Sequence, residues 1–496
     1  MSNEPRPLAT LEHETSPKSK SKVVHNVAFS SLALMSDGYN AQVISAALLV
    51  LGRLHPEKLT KSMKTHISQA YFIGIIVGAL LFGFLIDRFN RKAGVVFATL
   101  LMLIGTVMCT AASGVSVEGQ LWMLAISRGI LGSGAGGEYP TCSSSATEAS
   151  DENDQVRKRR GFLVAMCGDF AIDFGIVMGG VLPLIVLAAY GYTSNTSIDD
   201  LKGLNTAWRV FLILGAIVPL SLFYFRWKVV TSTAFQKNKM SHNGFTLRIY
   251  WLIAKRYWKQ LTGASLAWFL YDFVAYPSGL LTTPIIDGLS GSKDSLIYAI
   301  GYGALVNAFL LPGCVVGGFL LDKIGRKRTQ ILGFVVQAVL GYILGGALGP
   351  IQSSLPAFIV MYGLFVSSAE AGPGVATILI SAEVAPTAIR GHFVGLAAAF
   401  GKAGAAIGTS AFGALQERYS SELEGQKMVF YVASTFSVVG AIITWLLIPE
   451  MSRKLEKEDE DFRLWLKEQG VEMPCQNDSF EVIDTTDNIK AEKASA

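Results

Sequence analysis

Several ionisable residues lie inside long apolar runs, where charge is costly and therefore informative. Trp268, Asp272 and Tyr276 recur at i, i+4, i+8, a spacing that puts them on one face of a helix. A carboxylate at that depth costs several kcal/mol if it meets lipid, so this face is expected to line a substrate path, with burial against a distant Arg or Lys as the alternative. Lys402, between Gly401 and Gly404, is the only lysine deep within an apolar span of the second half. An ammonium there can meet a phosphate as a point charge, or it can serve as a structural partner of Asp272 or Glu370. Asp169 and Asp173 share a face at i, i+4 and repel one another if both are ionised. A polyol could donate hydroxyls to them and a quaternary ammonium would be attracted to them, with Trp268, Tyr271 and Tyr276 adding cation–π contact. In the alternative reading Asp169 faces a neighbouring helix. Tyr139 and Tyr276 can donate hydroxyl hydrogen bonds to phosphate oxygens.

The elements that must position these groups are membrane helices. The chain has 496 residues, 51% hydrophobic and only 16% charged, with a mean hydropathy of +0.41; a soluble protein carries about a quarter charged residues. The net charge of +4 is too small to suggest a nucleic-acid partner. Four of the five cysteines, Cys109, Cys142, Cys167 and Cys314, lie in apolar runs, and Cys475 stands alone in a polar tail, so no disulfide framework is expected. Residues 1–22 are polar and a long span follows at once, which gives no cleavable signal.

Twelve apolar stretches long enough to span a bilayer lie near 24–51, 67–87, 93–113, 119–148, 160–190, 206–226, 260–287, 295–321, 328–350, 354–383, 389–415 and 428–448. The expected fold is an all-α membrane protein, with twelve transmembrane helices in two pseudo-symmetric six-helix bundles. The expected organisation is an N-terminal tail (1–23), a first bundle (24–226), a polar linker (227–259), a second bundle (260–452) and a C-terminal tail (453–496). An amphipathic piece at 247–258 is expected on the membrane surface, and the charged tail from Arg453 is expected to be soluble and partly disordered.

Short loops after even-numbered spans carry Arg88, Arg91 and Lys92, then Arg157 to Arg160, then Lys323 to Arg328; the loops after spans 3 and 9 carry no Lys or Arg. Both termini are therefore expected in the cytoplasm. The loop after span 1, with Arg53, Lys58, Lys61 and Lys64, is the exception. Asn195-Thr196-Ser197 is a glycosylation sequon in a loop this topology places outside.

The halves repeat. Gly83-x-x-x-Asp87-Arg88-x-Asn90-Arg91-Lys92 and Gly318-x-x-x-Asp322-Lys323-x-Gly325-Arg326-Lys327 are offset by 318 − 83 = 235 residues. Glu148 and Glu383 differ by the same amount, and each precedes an Arg-Gly pair, Arg160-Gly161 and Arg390-Gly391. Two homologous bundles place a site at their interface near midplane. The run Gly132-Ser-Gly134-Ala-Gly136-Gly137 matches a dinucleotide fingerprint by letter, but no strand precedes it; small residues that let another helix approach are the better account.

At the paired G-x-x-x-D-R/K-x-x-R-K loops the chain resembles the major facilitator superfamily over about 24–450. That resemblance implies that Asp87, Arg91, Glu148, Asp322, Arg326 and Glu383 are gating residues of cytoplasmic latches rather than substrate ligands. Arg128 to Pro140, Trp268-x-x-x-Asp272-x-x-x-Tyr276 and Gly401-Lys402-Ala403-Gly404 look like the phosphate:proton symporter branch. Three departures stand out: Glu138-Tyr139 where phosphate carriers usually have Asp-Tyr, Asp173 where they tend to have Gln, and Gly374 of Ala371-Gly372-Pro373-Gly374 where they carry Asn. With Ser36-Asp37-Gly38-Tyr39 and Tyr271-Asp272-Phe273-Val274, these resemble the fungal glycerophosphodiester permeases, which import glycerophosphoinositol and glycerophosphocholine. Loss of the side chain at Gly374 is expected to enlarge the pocket. Resemblance to proton-coupled sugar carriers suggests Asp37 and Arg128 as a pair that breaks on protonation, with a static ion pair as the alternative.

The resulting expectation is a plasma-membrane, multi-pass symporter that moves a glycerophosphodiester with protons by alternating access, working as a monomer without cofactor or metal. Lys402, Tyr139 and Tyr276 are expected to hold the phosphate, and Trp268, Asp169 and Asp173 to meet the head group. Asp37, Glu138 and Asp272, with Arg128, are expected to handle protons. An inorganic phosphate symporter is the nearest alternative, and a substrate-binding nutrient sensor that signals through its tail is an alternative of another class. With no metal-ligand cluster and no nucleophile–base constellation, an enzyme is not expected.

Overall fold

In a computed structural model, residues 20–88, 91–151, 153–193, 201–227, 246–289, 296–450 and 455–470 are described. The sequon at Asn195, the side chains of Arg88 and Arg91, and most of the linker lie outside them. The described residues form no strand. The first half comprises α1 (Lys20–Ser31), α2 (Leu34–Leu54), α3 (Lys61–Arg88), α4 (Arg91–Thr110), α5 (Val117–Asp151), the single turn α6 (Asp154–Arg157), α7 (Arg160–Cys167), α8 (Asp169–Ala189), α9 (Leu204–Ile213) and α10 (Ile217–Trp227). The second half comprises α11 (Leu247–Leu289), α12 (Leu296–Asn307), α13 (Leu310–Lys323), α14 (Arg326–Gln352), α15 (Leu355–Ala369), α16 (Val375–Glu383), α17 (Arg390–Glu417), α18 (Glu422–Leu447) and, in the tail, α19 (Leu455–Glu468).

Among the described residues, ten helical stretches are long and apolar enough to cross a membrane. The other two expected spans, α5 and α11, are long helices diluted by the polar residues they carry, among them Arg128 and Glu138 on α5 and Asp272 on α11. Several spans are broken rather than continuous. The fifth is split at Gly168 between α7 and α8, and the tenth carries a π turn, Glu370–Gly374, between α15 and α16. Such π turns concentrate at functional sites.

Small residues decide which helices touch. A Cβ on Gly74 or Gly78 of α3 would stand about 2 Å from the carbonyl oxygens of Gly129 and Ser133 on α5, and one on Gly132 or Gly136 of α5 would strike those of Tyr71 and Ile75. The glycine run of α5 is thus a packing seam with α3, as the small-residue reading expects. In the second half Gly404 and Gly408 of α17 lie equally close to the carbonyl oxygens of Phe269 and Phe273 on α11. The halves meet along α3 against α17 and α8 against α12, with α7 against α13 at one end.

The structure adds to two expectations, one about the linker and one about the tail. The amphipathic piece at 247–258 is no separate surface helix, because it continues into the seventh span as the 43-residue α11, about 65 Å long at 1.5 Å per residue. The beginning of the tail is ordered as α19. Its Phe462 and Leu466 are buried against Ile249, Ile253 and Tyr257 of α11 and Ile389. The Asp459 carboxylate accepts from the Thr387 backbone N–H (2.6 Å) and hydroxyl (2.7 Å), and Arg256 lies 4.8 Å from the Trp465 ring centroid. A low average hydropathy hid an amphipathic stripe with a partner waiting for it.

Candidate functional site

Between the halves lies a partly open cavity, lined by residues of α2, α5, α8, α11 to α17 and the π turn. The close α11–α17 packing, with Gly401 against the Trp268 ring, brings Lys402 to the charged face of α11. Lys402 Nζ donates to Asp272 Oδ2 at 3.0 Å and to the Tyr276 hydroxyl at 2.6 Å. It lies 4.1 Å from the Tyr276 ring centroid and 4.8 Å from that of Tyr139. Lys402 and Asp272 are both buried, a geometry in which a buried charge is tolerable only when paired. Asp272 Oδ1 has no hydrogen-bond partner.

Tyr139 joins the two halves of the site. Its ring packs on Trp268 with centroids 5.8 Å apart, and its hydroxyl donates to Asp37 Oδ2. The Tyr71 hydroxyl donates to Asp37 Oδ1 at 2.6 Å. Asp37 is fully buried, so neutral donors, not a cation, satisfy this carboxylate. The expected Asp37–Arg128 pair is not formed. Arg128 donates instead to the carbonyl oxygens of Ile67 (2.9 Å) and Asn40 (3.2 Å) and stacks over Tyr71 at 4.8 Å. Tyr71 therefore stands between the two groups, a role that a lone Tyr in an apolar span does not announce.

Asp169 and Asp173 both line the cavity, against the reading in which Asp169 faces another helix. Each is buried and each has an Oδ2 without a partner. Glu138 is not brought in. Its carboxylate accepts from the Thr99 hydroxyl (3.1 Å) and the Cys142 thiol (3.1 Å), on the α4 side of α5 and away from the cavity lining, because it points one residue round the helix from Tyr139. Sequence reasoning also overlooked Asn307 and Gln337, cavity-lining amides. Asn307 Nδ2 is buried without a partner, and Gln337 Oε1 accepts from the Ser437 hydroxyl (3.0 Å). Their signal was available as amides within otherwise apolar spans.

Gly374 does not enlarge the cavity as expected. A Cβ there would stand 2.0 Å from Glu370 Oε2 and 3.1 Å from the Tyr271 hydroxyl, so the space is filled by Glu370, whose other oxygen accepts from Tyr271.

At the end of the bundle that carries the repeated loops, acids of each half meet the other half. Arg160 Nε pairs with Glu383 Oε1 at 2.7 Å and Arg390 with Glu148 at 2.9 Å across the halves, while Arg326 holds Glu383 from within its own half at 3.0 Å. The Asp322 carboxylate accepts from the backbone N–H groups of Gly161 and Phe162, both at 2.9 Å, and so caps the start of α7. Asp87 accepts from His392 N (2.9 Å) and pairs with its ring Nδ1 (2.7 Å) at the start of α17. The Arg91 side chain lies outside the described residues.

Residues 26–462 match the model of the sugar (and other) transporter family. The chain is 33% identical over 459 residues to glycerophosphoinositol transporter 1 of Saccharomyces cerevisiae, covering 92% of this chain and 85% of the relative. It is 35% identical over 457 residues to glycerophosphocholine permease GIT4 of Candida albicans, covering 91% and 84%. Among solved structures, the proton:xylose symporter XylE superposes with a TM-score of 0.71 at 19% identity, covering 89% of this chain and 100% of XylE, a likeness of fold.

Proposed function

Because the chain belongs to the sugar (and other) transporter family, whose members are carriers and not enzymes, we propose that it imports a glycerophosphodiester with protons by alternating access. The observation that carries this reading is the Lys402–Asp272–Tyr276 cluster, buried at the wall of a cavity lined by both halves. A phosphate with Lys402 gains the ammonium and the Tyr276 hydroxyl as donors, joined by the Tyr139 hydroxyl once protonation of Asp37 releases it, and Asp272 is then displaced from its partner. Trp268, Asp169 and Asp173 are left to face the head group. The boundary between functional halves is proposed to fall in the linker 227–259.

Protons supply the driving force in this reading. A charge moving against the membrane potential costs about 2.3 kcal/mol per 100 mV, and each pH unit of inward gradient returns about 1.4 kcal/mol per proton. A monoanionic diester with one proton is neutral overall, so the voltage neither helps nor opposes it. Asp37, held by neutral hydroxyls, takes up a proton without breaking an ion pair. Asp272 does so when Lys402 turns to the phosphate. The ion pairs at the loop-bearing end act as the gate that closes that side; the positive loops support a cytoplasmic position for this end and both termini, and the membrane in this reading is the plasma membrane.

Uptake of radiolabelled glycerophosphodiesters into proteoliposomes holding the purified chain, with inorganic phosphate as competitor, tests the reading. Diester uptake that rises with an inward proton gradient is expected. Uptake indifferent to the gradient removes the coupling, and transport of inorganic phosphate alone removes the substrate.

A further inference from the structure

Glu370 has no part in the mechanism above, yet its carboxylate is fixed in the cavity wall. It begins the π turn, is only 4% exposed, accepts from the Tyr271 hydroxyl, and occupies the volume that any side chain at Gly374 would need. The turn itself is pinned from behind, because a Cβ on Gly372 would stand 2.4 Å from Gly333 Cα on α14. Glu370 shares the cavity with Asp169 and Asp173 and lies within electrostatic range of both. Lys402 is within electrostatic range of Asp169 and Glu370 as well, but it is hydrogen-bonded to Asp272, so four carboxylates line the cavity against one ammonium. Asp169 Oδ2 and Asp173 Oδ2 are buried and unpartnered.

Ionised carboxylates are acceptors only, and buried ones require a cation or donors. A polyol head group brings weak donors and adds no positive charge. An alkylammonium brings the missing charge, and the Tyr271 and Phe365 side chains that also line the space suit a desolvated cation. We propose that Glu370, seated by Gly374 and Tyr271, completes with Asp169 and Asp173 a head-group subsite selective for an alkylammonium. The favoured substrate is then a zwitterionic phosphodiester, its phosphate at Lys402 and its cation at the acidic pole. This inference rests on the glycerophosphodiester reading.

The test measures kcat/KM for glycerophosphocholine, glycerophosphoethanolamine and glycerophosphoinositol with the full chain in proteoliposomes. The wild type is expected to favour the two cationic diesters over the inositol diester by tenfold or more. Glu370→Gln is expected to lower that ratio about tenfold. Gly374→Ala, which forces the carboxylate out of its seat without removing it, is expected to move the ratio in the same direction and supplies the answer if Glu370→Gln does not fold. A wild type that favours the inositol diester, or a ratio unmoved in the variants that fold, overturns the selectivity while leaving diester transport intact. Transport of inorganic phosphate and of none of the three diesters overturns the underlying reading, and this inference with it.

Discussion

Asp37 and Asp272 occupy corresponding places in the two halves, separated by the repeat offset, 272 − 37 = 235, and both are buried. Their partners differ in kind. Asp37 is satisfied by two tyrosine hydroxyls, Asp272 by a lysine. The offset also matches Tyr139 with Gly374, 374 − 139 = 235. In the first half that position supplies the hydroxyl that holds Asp37, and in the second it is empty and filled by Glu370. A duplicated frame has therefore been given two chemistries. A carboxylate held by neutral donors can change charge without breaking an ion pair. A carboxylate held by an ammonium releases that ammonium to a competing anion.

The comparison breaks most sharply at the cation. Lys402→Ala leaves Asp272 buried without a counter-charge, a change worth about 3–5 kcal/mol, and diester uptake is expected to fall at least a hundredfold in proteoliposomes. Asp37→Asn keeps the size and hydrogen-bonding reach of the side chain but cannot take up a proton. It is expected to abolish stimulation by an inward pH gradient while substrate exchange across the membrane continues; stimulation equal to that of the wild type would place the proton elsewhere. Arg390→Ala removes one partner of Glu148 at the loop-bearing end and is expected to lower the melting temperature and open that end to thiol reagents, read at Cys167. Tyr71→Phe removes one of the two hydroxyl donors to the Asp37 carboxylate, worth about 1.5–3 kcal/mol, and is expected to shift the pH dependence of uptake with little effect on its maximum rate. The smallest effect is expected from His392→Phe, which installs the residue found at the matching place of the other half, Phe162 (392 − 162 = 230, the offset of Arg160 and Arg390). It loses the ring's contacts with Asp87 and with the Tyr250 hydroxyl but keeps the backbone N–H that caps, so a few degrees of melting temperature is the expected change.

The helical class, the spans and the repeated loops were legible because hydropathy and duplicated motifs are properties of contiguous sequence. The Lys402–Asp272–Tyr276 cluster was legible for a different reason: charge in an apolar span has few affordable environments. Partner choice was not legible. Nothing in the spacing tells Asp37 to take Tyr71 rather than Arg128, since that depends on where Tyr71 is carried by the glycine seam between α3 and α5. Glu138 and Tyr139 are neighbours in sequence and face opposite ways, so a one-residue step separates a cavity wall from a helix interface. The π turn was invisible as well. Within it Glu370 lies over Gly374, and an absent side chain that promised space holds a carboxylate. The tail helix escaped notice because its apolar face is meaningful only beside α11.

Labelled glycerophosphodiester uptake by the full chain in proteoliposomes, wild type beside Lys402→Ala under the same inward proton gradient, addresses the central claim most directly. The account predicts gradient-driven accumulation by the wild type and a loss of at least a hundredfold in the variant. Accumulation by the variant at the wild-type rate would contradict it.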